Sequence, residues 1–328
     1  MKKTVSSENQ NLSLWEDAPL AIPALGTSRL NWSYSRREAV DHCLRRYFYQ
    51  YYASCSPDVS LREQVKRPKE IKNHHLRVGE LVHLAISTYF KKLKQGKDLP
   101  SSWLQSWVRK IFAEDQAYSK LIRSGGPSST EKYPPTILDE VVFDVADGDQ
   151  ILEQASEQLG AAIQTFFTSN ALQEFRVLGA KPHSLIEHKM SLAGYKAPVS
   201  GKIDLVVHEE ISATIVDWKL GVASDGGAES LQLASYGLWA NAKYALPAEQ
   251  IRIAKAHLAD GSALDFKANS GSFANARARI QQDLERMTIL HTYGQAGMID
   301  VFTPSPHLKM CRLCPFRRIC PEGEENHA

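Results

Sequence analysis

Three short segments decide the fold of this chain: LIEHKM at residues 185–190, GKIDLVV at 201–207 and TIVDWKLG at 214–221. Each is rich in aliphatic or β-branched residues and is bounded by Gly, Pro or Ser, a pattern typical of β-strands. Side chains alternate between the two faces of a strand, so Asp217 and Lys219 are expected on one face. If Asp204 faces the same way from the neighbouring strand, two carboxylates and an ammonium group converge.

Such a grouping suits a magnesium-dependent phosphodiesterase. Magnesium takes oxygen ligands and keeps several waters, so Asp204 and Asp217 can hold it while a phosphate and a water complete its shell. The ion lowers the pKa of the attacking water, and Lys219 can position that water and stabilise negative charge. Glu187, on the preceding strand, is a further candidate ligand. Asp-x-Lys alone has low specificity, and the alternative is that each charged residue is simply solvated at a strand end.

The composition is that of a soluble globular protein. The chain has 328 residues, enough for one large domain or two, and a formal net charge of +2, so its overall charge does not argue for nucleic acid. No apolar run approaches membrane length, and no secretory pattern is visible at the start. The 5 cysteines are an odd number and argue against a disulfide framework. These features predict a cytoplasmic protein that does not associate with membranes.

Helical patterns surround the three strands. A first helix is predicted with Ser35 as its N-cap, continuing through Cys43 into a row of aromatic residues. A second helix, from about 76 to 93, contains His83. A helix after the third strand carries Gln232 and Tyr236 at i and i+4, and therefore on one face. The predicted divisions are a loose N-terminal arm (1–30), an N-terminal helical segment (31–75), a helical region (76–180), a core (181–300) and a cysteine-containing tail (301–328).

Four of the cysteines form a second candidate site. Cys311-x-x-Cys314 is followed by Cys320, and Cys43 supplies a fourth thiolate if the first helix folds back against the tail. Four thiolates suit zinc or an iron–sulfur cluster. One Cys-x-x-Cys pair instead of two favours a cubane cluster over a zinc ribbon, with zinc or free structural cysteines as the alternatives. The predicted role is a staple between the N- and C-terminal parts.

The ordered motifs resemble those of the RecB-like branch of the PD-(D/E)XK nucleases, and in particular its iron–sulfur members, such as AddB-type nuclease domains and CRISPR-associated adaptation exonucleases. The resemblance spans about residues 33 to 320. The motifs that carry it are Gly79-Glu80-Leu81-Val82-His83, Gly201-Lys202-Ile203-Asp204, Val216-Asp217-Trp218-Lys219, Gln232-x-x-x-Tyr236 and the split cysteine set.

This resemblance implies an α/β fold with a PD-(D/E)XK restriction-endonuclease-like core, in which helices flank a mixed central sheet. A helical insertion and an iron–sulfur staple would be added to that core. The resemblance also implies a Mg²⁺- or Mn²⁺-dependent DNA nuclease, in particular an exonuclease that acts on DNA ends or single strands. DNA repair, recombination, CRISPR-type adaptation and antiviral defence stay open as its setting. The implied roles are metal ligation by His83, Asp204, Asp217 and the Trp218 carbonyl; water activation by Lys219; orientation by Gln232 and Tyr236; an additional acid at Glu187; and a 4Fe-4S cluster on Cys43, Cys311, Cys314 and Cys320.

Two functional hypotheses follow. In the first, the chain is an enzyme that cuts DNA ends or single strands. In the second, it is a nuclease-fold DNA-binding subunit of a helicase, integrase-like or defence complex, with little cleavage of its own. The retained acid, acid and lysine favour the enzyme.

Overall fold

The structure is a computed structural model that describes residues 28–131, 134–222 and 230–324. Most of the predicted N-terminal arm, residues 1–27, lies outside the described residues. The chain divides into two compact units. The described helices are α1 (Tyr34–His42), α2 (Leu44–Tyr51), α3 (Val59–Gln64), α4 (His74–Leu93), α5 (Ser101–Arg123), α6 (Asp139–Val142), α7 (Gly148–Thr168), α8 (Gln173–Ala180), α9 (Leu231–Tyr244), α10 (Ser270–Gln295), α11 (Leu308–Arg312) and α12 (Pro321–Glu324).

The two units differ from the predicted divisions. One unit holds the described residues up to 69, a short piece at 196–198, and residues from 280 onward, whereas the other holds 70–195 and 199–279. The predicted N-terminal segment and cysteine tail therefore fall largely in one unit, which we call the cysteine unit. The predicted helical region and most of the core fall in the other, the sheet unit.

The described strands of the sheet unit are β1 (Ile71–Lys72), β2 (Ile137–Leu138), β3 (Leu185–Leu192), β4 (Val199–Glu209), β5 (Ser212–Lys219), β6 (Ile251–His257) and β7 (Ala263–Phe266). Five of them form a mixed sheet in the order β3-β4-β5-β6-β7. The β5–β6 pair is parallel, and the other three pairs are antiparallel. A short parallel pair, β1 with β2, forms a separate sheet. This arrangement confirms the predicted mixed α/β core.

Helix α4 covers one side of the core and brings His83 to the sheet. Asn73 caps its start by accepting a hydrogen bond from the Leu76 amide, and its apolar residues recur at helical spacing. Fully burying each large apolar side chain stabilises the fold by roughly 1.5–3 kcal/mol. The buried apolar cluster shared by α4, α5, α7 and the sheet includes Leu81, Val82, Phe90, Phe112, Phe166, Leu205 and Trp218.

In the cysteine unit, the first helical stretch differs from the prediction in two ways. The N-cap is Ser33, whose hydroxyl accepts from the Arg36 amide, not Ser35. The predicted single helix is also interrupted: Cys43 has an extended backbone and separates α1 from α2. The sequence Asp41-His42-Cys43 has low helix propensity, which accounts for the break. Among the described parts of the chain, none of the helices combines the length and apolar character that a bilayer crossing requires.

Candidate metal centre and active site

The sheet unit brings three potential metal ligands together. His83 on α4, Glu187 on β3 and Asp204 on β4 each offer one ligand atom, and these atoms lie within 4.8 Å of one another. His83 Nδ1 is 3.0 Å from Asp204 Oδ1 and 3.6 Å from Glu187 Oε1. One imidazole and two carboxylates form a donor set suited to a hard or intermediate divalent ion. Within the described residues, this is the only such group of three or more.

Glu187 adopts an unusual backbone conformation at this point. Its φ is +54°, in the left-handed region that a non-glycine residue seldom occupies. The flanking residues pair regularly, Ile186 with Leu205 and His188 with Ile203, so Glu187 lies opposite Asp204. Left-handed residues that persist in a folded protein are often found at functional sites. The strained backbone here delivers a carboxylate to the ligand group.

Asp204 occupies a gap between two strands. The β4–β5 ladder runs from Glu209 to Leu205, which pairs with Val216, and its described pairing goes no further. Beyond that point the Trp218 amide donates to Asp204 Oδ2 at 2.8 Å. A side-chain carboxylate therefore takes the place of a backbone carbonyl, and its other oxygen faces His83. The Trp218 amide contacts the site through this hydrogen bond, and the predicted ligation by the Trp218 carbonyl stays a prediction.

Asp217 and Lys219 form the second part of the site. Asp217 Oδ2 is 2.7 Å from Lys219 Nζ, but the geometry is not that of a hydrogen bond, so this buried oxygen lacks a hydrogen-bond partner. Burial raises the pKa of Asp217, and the nearby Asp204 charge adds to the rise while Lys219 opposes it. Asp217 lies outside the group of three ligands. A buried carboxylate needs a cation beside it, and in the structure that cation is the Lys219 ammonium.

Gln232 and Tyr236 connect this lysine to β4. Lys219 Nζ donates to Gln232 Oε1 at 3.2 Å, and Gln232 Nε2 donates to the Tyr236 hydroxyl at 2.8 Å. That hydroxyl donates to the Lys202 carbonyl at 3.0 Å. Burial raises the pKa of Tyr236, so the phenol stays neutral and can donate. This chain of hydrogen bonds, the lysine relay, fixes the direction of the Lys219 side chain.

A family model described as the PD-(D/E)XK nuclease superfamily matches residues 31–321. The chain belongs to the PD-(D/E)XK nuclease superfamily. Membership makes it a nuclease by family, and PD-(D/E)XK nucleases use divalent metals as cofactors.

Solved structures with partial likeness to this PD-(D/E)XK chain add little. The protein SSO0001 is 16% identical, with a TM-score of 0.29 over 54% of this chain and 79% of that one. A candidate exonuclease from Eubacterium rectale is 13% identical, with a TM-score of 0.32 over 63% of this chain and 81% of that one. Scores this low carry no argument. No curated protein matches the chain.

The electrostatics of the PD-(D/E)XK site favour a bound cation. Burial lowers the pKa of His83, but hydrogen bonds and charges from Asp204 and Glu187 outweigh it and raise that pKa to about 10. Burial raises the pKa of Glu187, yet His83 and Lys202 outweigh it and leave that pKa below its usual value. Without an ion, a proton on His83 balances the acids. A divalent ion would take the place of that proton, so ligation would release it.

Lys202 is a residue of the site that the sequence interpretation did not single out. Its ammonium pairs with Glu187, and its carbonyl ends the lysine relay. The sequence did contain the information: side chains two residues apart lie on the same face of a strand, so Lys202 and Asp204 share one face of β4.

The cysteine unit contains all four predicted cluster cysteines. Cys43 lies at the break between α1 and α2, and Cys311 lies in α11. Burial raises the pKa of the Cys314 thiol, and the neighbouring Cys43 and Cys311 add to the rise. Cys320 donates to Glu322, and burial together with this contact raises its pKa to about 12. The structure thus places Cys43 near the tail cysteines, as a shared site requires.

Proposed function

We propose that this chain is a magnesium- or manganese-dependent deoxyribonuclease that hydrolyses phosphodiester bonds at DNA ends or in single strands. The observation that carries the proposal is the meeting of His83, Glu187 and Asp204 within 4.8 Å of one another. Beside them, the Asp217 carboxylate pairs with the ammonium of Lys219, whose side chain is partly exposed. A DNA-cutting enzyme needs these two parts together: ligands for a divalent ion and a cation for the phosphate.

The roles of the residues follow from their contacts. His83, Glu187 and Asp204 would hold the ion, with Asp217 as a further carboxylate. When bound, the ion supplies a water of lowered pKa and neutralises charge on the phosphate. Lys219 directs its ammonium toward the attacking water and the phosphate oxygens, because Asp217 and Gln232 fix its position. Tyr236 holds Gln232 in turn.

We also propose that Cys43, Cys311, Cys314 and Cys320 hold a 4Fe-4S cluster that staples the two ends of the cysteine unit. Zinc about 2.3 Å from four sulfurs would draw them to within about 4 Å of one another. Among the described residues, the cysteine sulfurs do not form a group of three or more within 4.8 Å. The single Cys-x-x-Cys pair, in place of the two pairs of a zinc ribbon, supports a 4Fe-4S cluster over a zinc ion.

The cellular setting is part of the same proposal. A nuclease that acts on DNA ends in the cytoplasm fits repair, recombination, CRISPR-type adaptation or antiviral defence. Repair or recombination would supply a helicase as partner, CRISPR-type adaptation an integrase-like protein, and antiviral defence a defence effector. Genomic neighbours would distinguish them.

The nuclease proposal is tested with labelled single-stranded and duplex DNA in magnesium, manganese or EDTA. Asp217→Ala and Lys219→Ala should abolish cleavage while the variants stay folded. Asp265→Ala is the matched control: its exposed carboxylate pairs with Arg252 on the same sheet, so it should cut at the wild-type rate. Metal-dependent cleavage that persists in both site variants would refute the assignment. Tight DNA binding without cleavage by the wild type would favour the binding-subunit hypothesis.

The cluster proposal is tested on anaerobically purified protein. The wild type should be brown, with visible absorption and iron and sulfide in equal amounts. Cys314→Ala should lose the colour and stability, whereas Cys55→Ala, a cysteine outside the proposed set, should keep both. Colourless wild-type protein that contains zinc, or none of these metals, would contradict the cluster.

A further inference from the structure

Lys202 is linked to the candidate metal site through a single carboxylate. Its ammonium pairs with Glu187 Oε2, while Glu187 Oε1 lies 3.6 Å from His83 Nδ1. Lys202 is also two residues before Asp204 on β4. The lysine therefore lies one side chain away from the ligand group, and nothing in the proposed roles above uses its charge.

The two ends of Lys202 are in different environments. Its carbonyl is fixed by the buried Tyr236 hydroxyl at 3.0 Å. Its side chain is 55% exposed, against 15% for Glu187 and 5% for Asp204. The Lys202 ammonium is thus more exposed to solvent than the two carboxylates, while the Tyr236 hydrogen bond holds the Lys202 backbone in place. An ammonium group has three donors, and the carboxylate of Glu187 does not use all of them.

We propose that Lys202 binds a phosphate of the substrate strand beside the one that is cut. The inference rests on the proposed nuclease function. Three buried or half-buried carboxylates line this site, and in the proposed mechanism the Lys219 ammonium serves the attacking water and the phosphate that is cut. Among the described residues of this site, Lys202 is a further cation, and its half-exposed side chain can donate to a neighbouring phosphate. Such contacts set the register of the strand without reading its sequence.

The competing interpretation is an ordinary surface ion pair between Lys202 and Glu187, which contributes little to stability or function. The two interpretations differ in the salt dependence of DNA binding, because only a phosphate contact releases a counterion.

The test measures binding of a fluorescent single-stranded oligonucleotide by anisotropy, with Ca²⁺ in place of Mg²⁺ and NaCl varied from about 50 to 200 mM. Lys202→Ala should weaken binding by about three- to tenfold and reduce the slope of log K against log salt by about 0.7. Lys202→Arg keeps the positive charge, so it should restore most of the binding affinity and most of the salt dependence. In Mg²⁺, Lys202→Ala should raise KM with kcat nearly unchanged.

Lys181→Ala is the matched control. Lys181 pairs with Glu209 at the opposite end of the same strand, so this variant also loses one lysine of a lysine–glutamate pair. It should leave affinity and slope unchanged. An unchanged affinity and slope in Lys202→Ala, or equal losses in both variants, would overturn the proposal while leaving the nuclease assignment intact. Failure of the wild type to bind DNA would refute the proposed function and this inference together.

Discussion

Tyr236→Phe removes one hydroxyl and tests whether the lysine relay positions Lys219. The hydroxyl is buried and makes two hydrogen bonds, at 2.8 Å to Gln232 and 3.0 Å to the Lys202 carbonyl. Each such bond contributes about 0.5–1.5 kcal/mol net, so the variant should lose about 1–3 kcal/mol of unfolding free energy. Gln232 then loses its anchor. If Lys219 loses one orienting contact of about 1.4 kcal/mol, cleavage slows about tenfold.

Single-turnover cleavage and denaturant unfolding measure these two effects. The metal concentration for half-maximal activity should stay within about twofold of the wild-type value, because Tyr236 contacts none of the three ligands. A tenfold change in metal affinity would need a loss of about 1.4 kcal/mol of binding free energy. Tyr244→Phe is the control: it lies on the same helix and stacks on His208, and its hydroxyl makes no hydrogen bond with the described residues. A Tyr236→Phe enzyme with wild-type rate and stability would show that the relay positions nothing.

Three further substitutions test how the sheet unit is held together. Gly79→Ala should raise the unfolding free energy by about 1 kcal/mol and keep activity, because the added Cβ would lie 3.7 Å from a leucine side chain; reduced stability in denaturant titration would contradict this. Asp115→Ala should lower it by about 3 kcal/mol, because buried Asp115 accepts two hydrogen bonds from Arg77; a loss below about 1 kcal/mol would refute the reasoning. Burial raises the pKa of Glu140, but hydrogen bonds from His74 outweigh it and lower that pKa. Glu140 therefore stabilises the fold above its ordinary pKa and loses this contribution as pH falls through the lowered value. Glu140→Gln should reduce the loss of stability between neutral and acidic pH, and an unchanged pH profile would argue against it.

The strands were predictable because their signal is strong and local. The segments at 185–190, 201–207 and 214–221 are aliphatic and β-branched, and they correspond closely to β3, β4 and β5. Helix interruptions were not predictable to the same degree. Asp41-His42-Cys43 lowers the helix propensity only locally and changes the sum over the whole segment very little, so the sequence did not identify Cys43 as the residue where the helix breaks.

The arrangement within the site was predictable in part. Spacing alone puts Gln232 and Tyr236 on one face of a helix, and the structure joins them by a hydrogen bond. The left-handed backbone of Glu187 has no sequence signature, because a glutamate disfavours this conformation and adopts it only where the surrounding structure imposes it. For the same reason, the sequence could name Glu187 as an acid near the site but not place it within reach of His83.

The opening between β4 and β5 explains why the reactive groups meet where they do. In a continuous ladder the backbone groups satisfy one another, and side chains point only up or down from the sheet. Here the Trp218 amide takes a carboxylate as its acceptor, which holds Asp204 between the strands, while Asp217 and Lys219 stay paired with β6 on the other side. Asp204 can then face His83 on one helix while the Lys219 ammonium reaches Gln232 on another. A continuous ladder would keep side chains from these two helices on opposite faces of the sheet. The gap brings Asp204 and His83 toward the Lys219 side of the sheet, as the proposed joint action of an ion and a lysine on one phosphate requires.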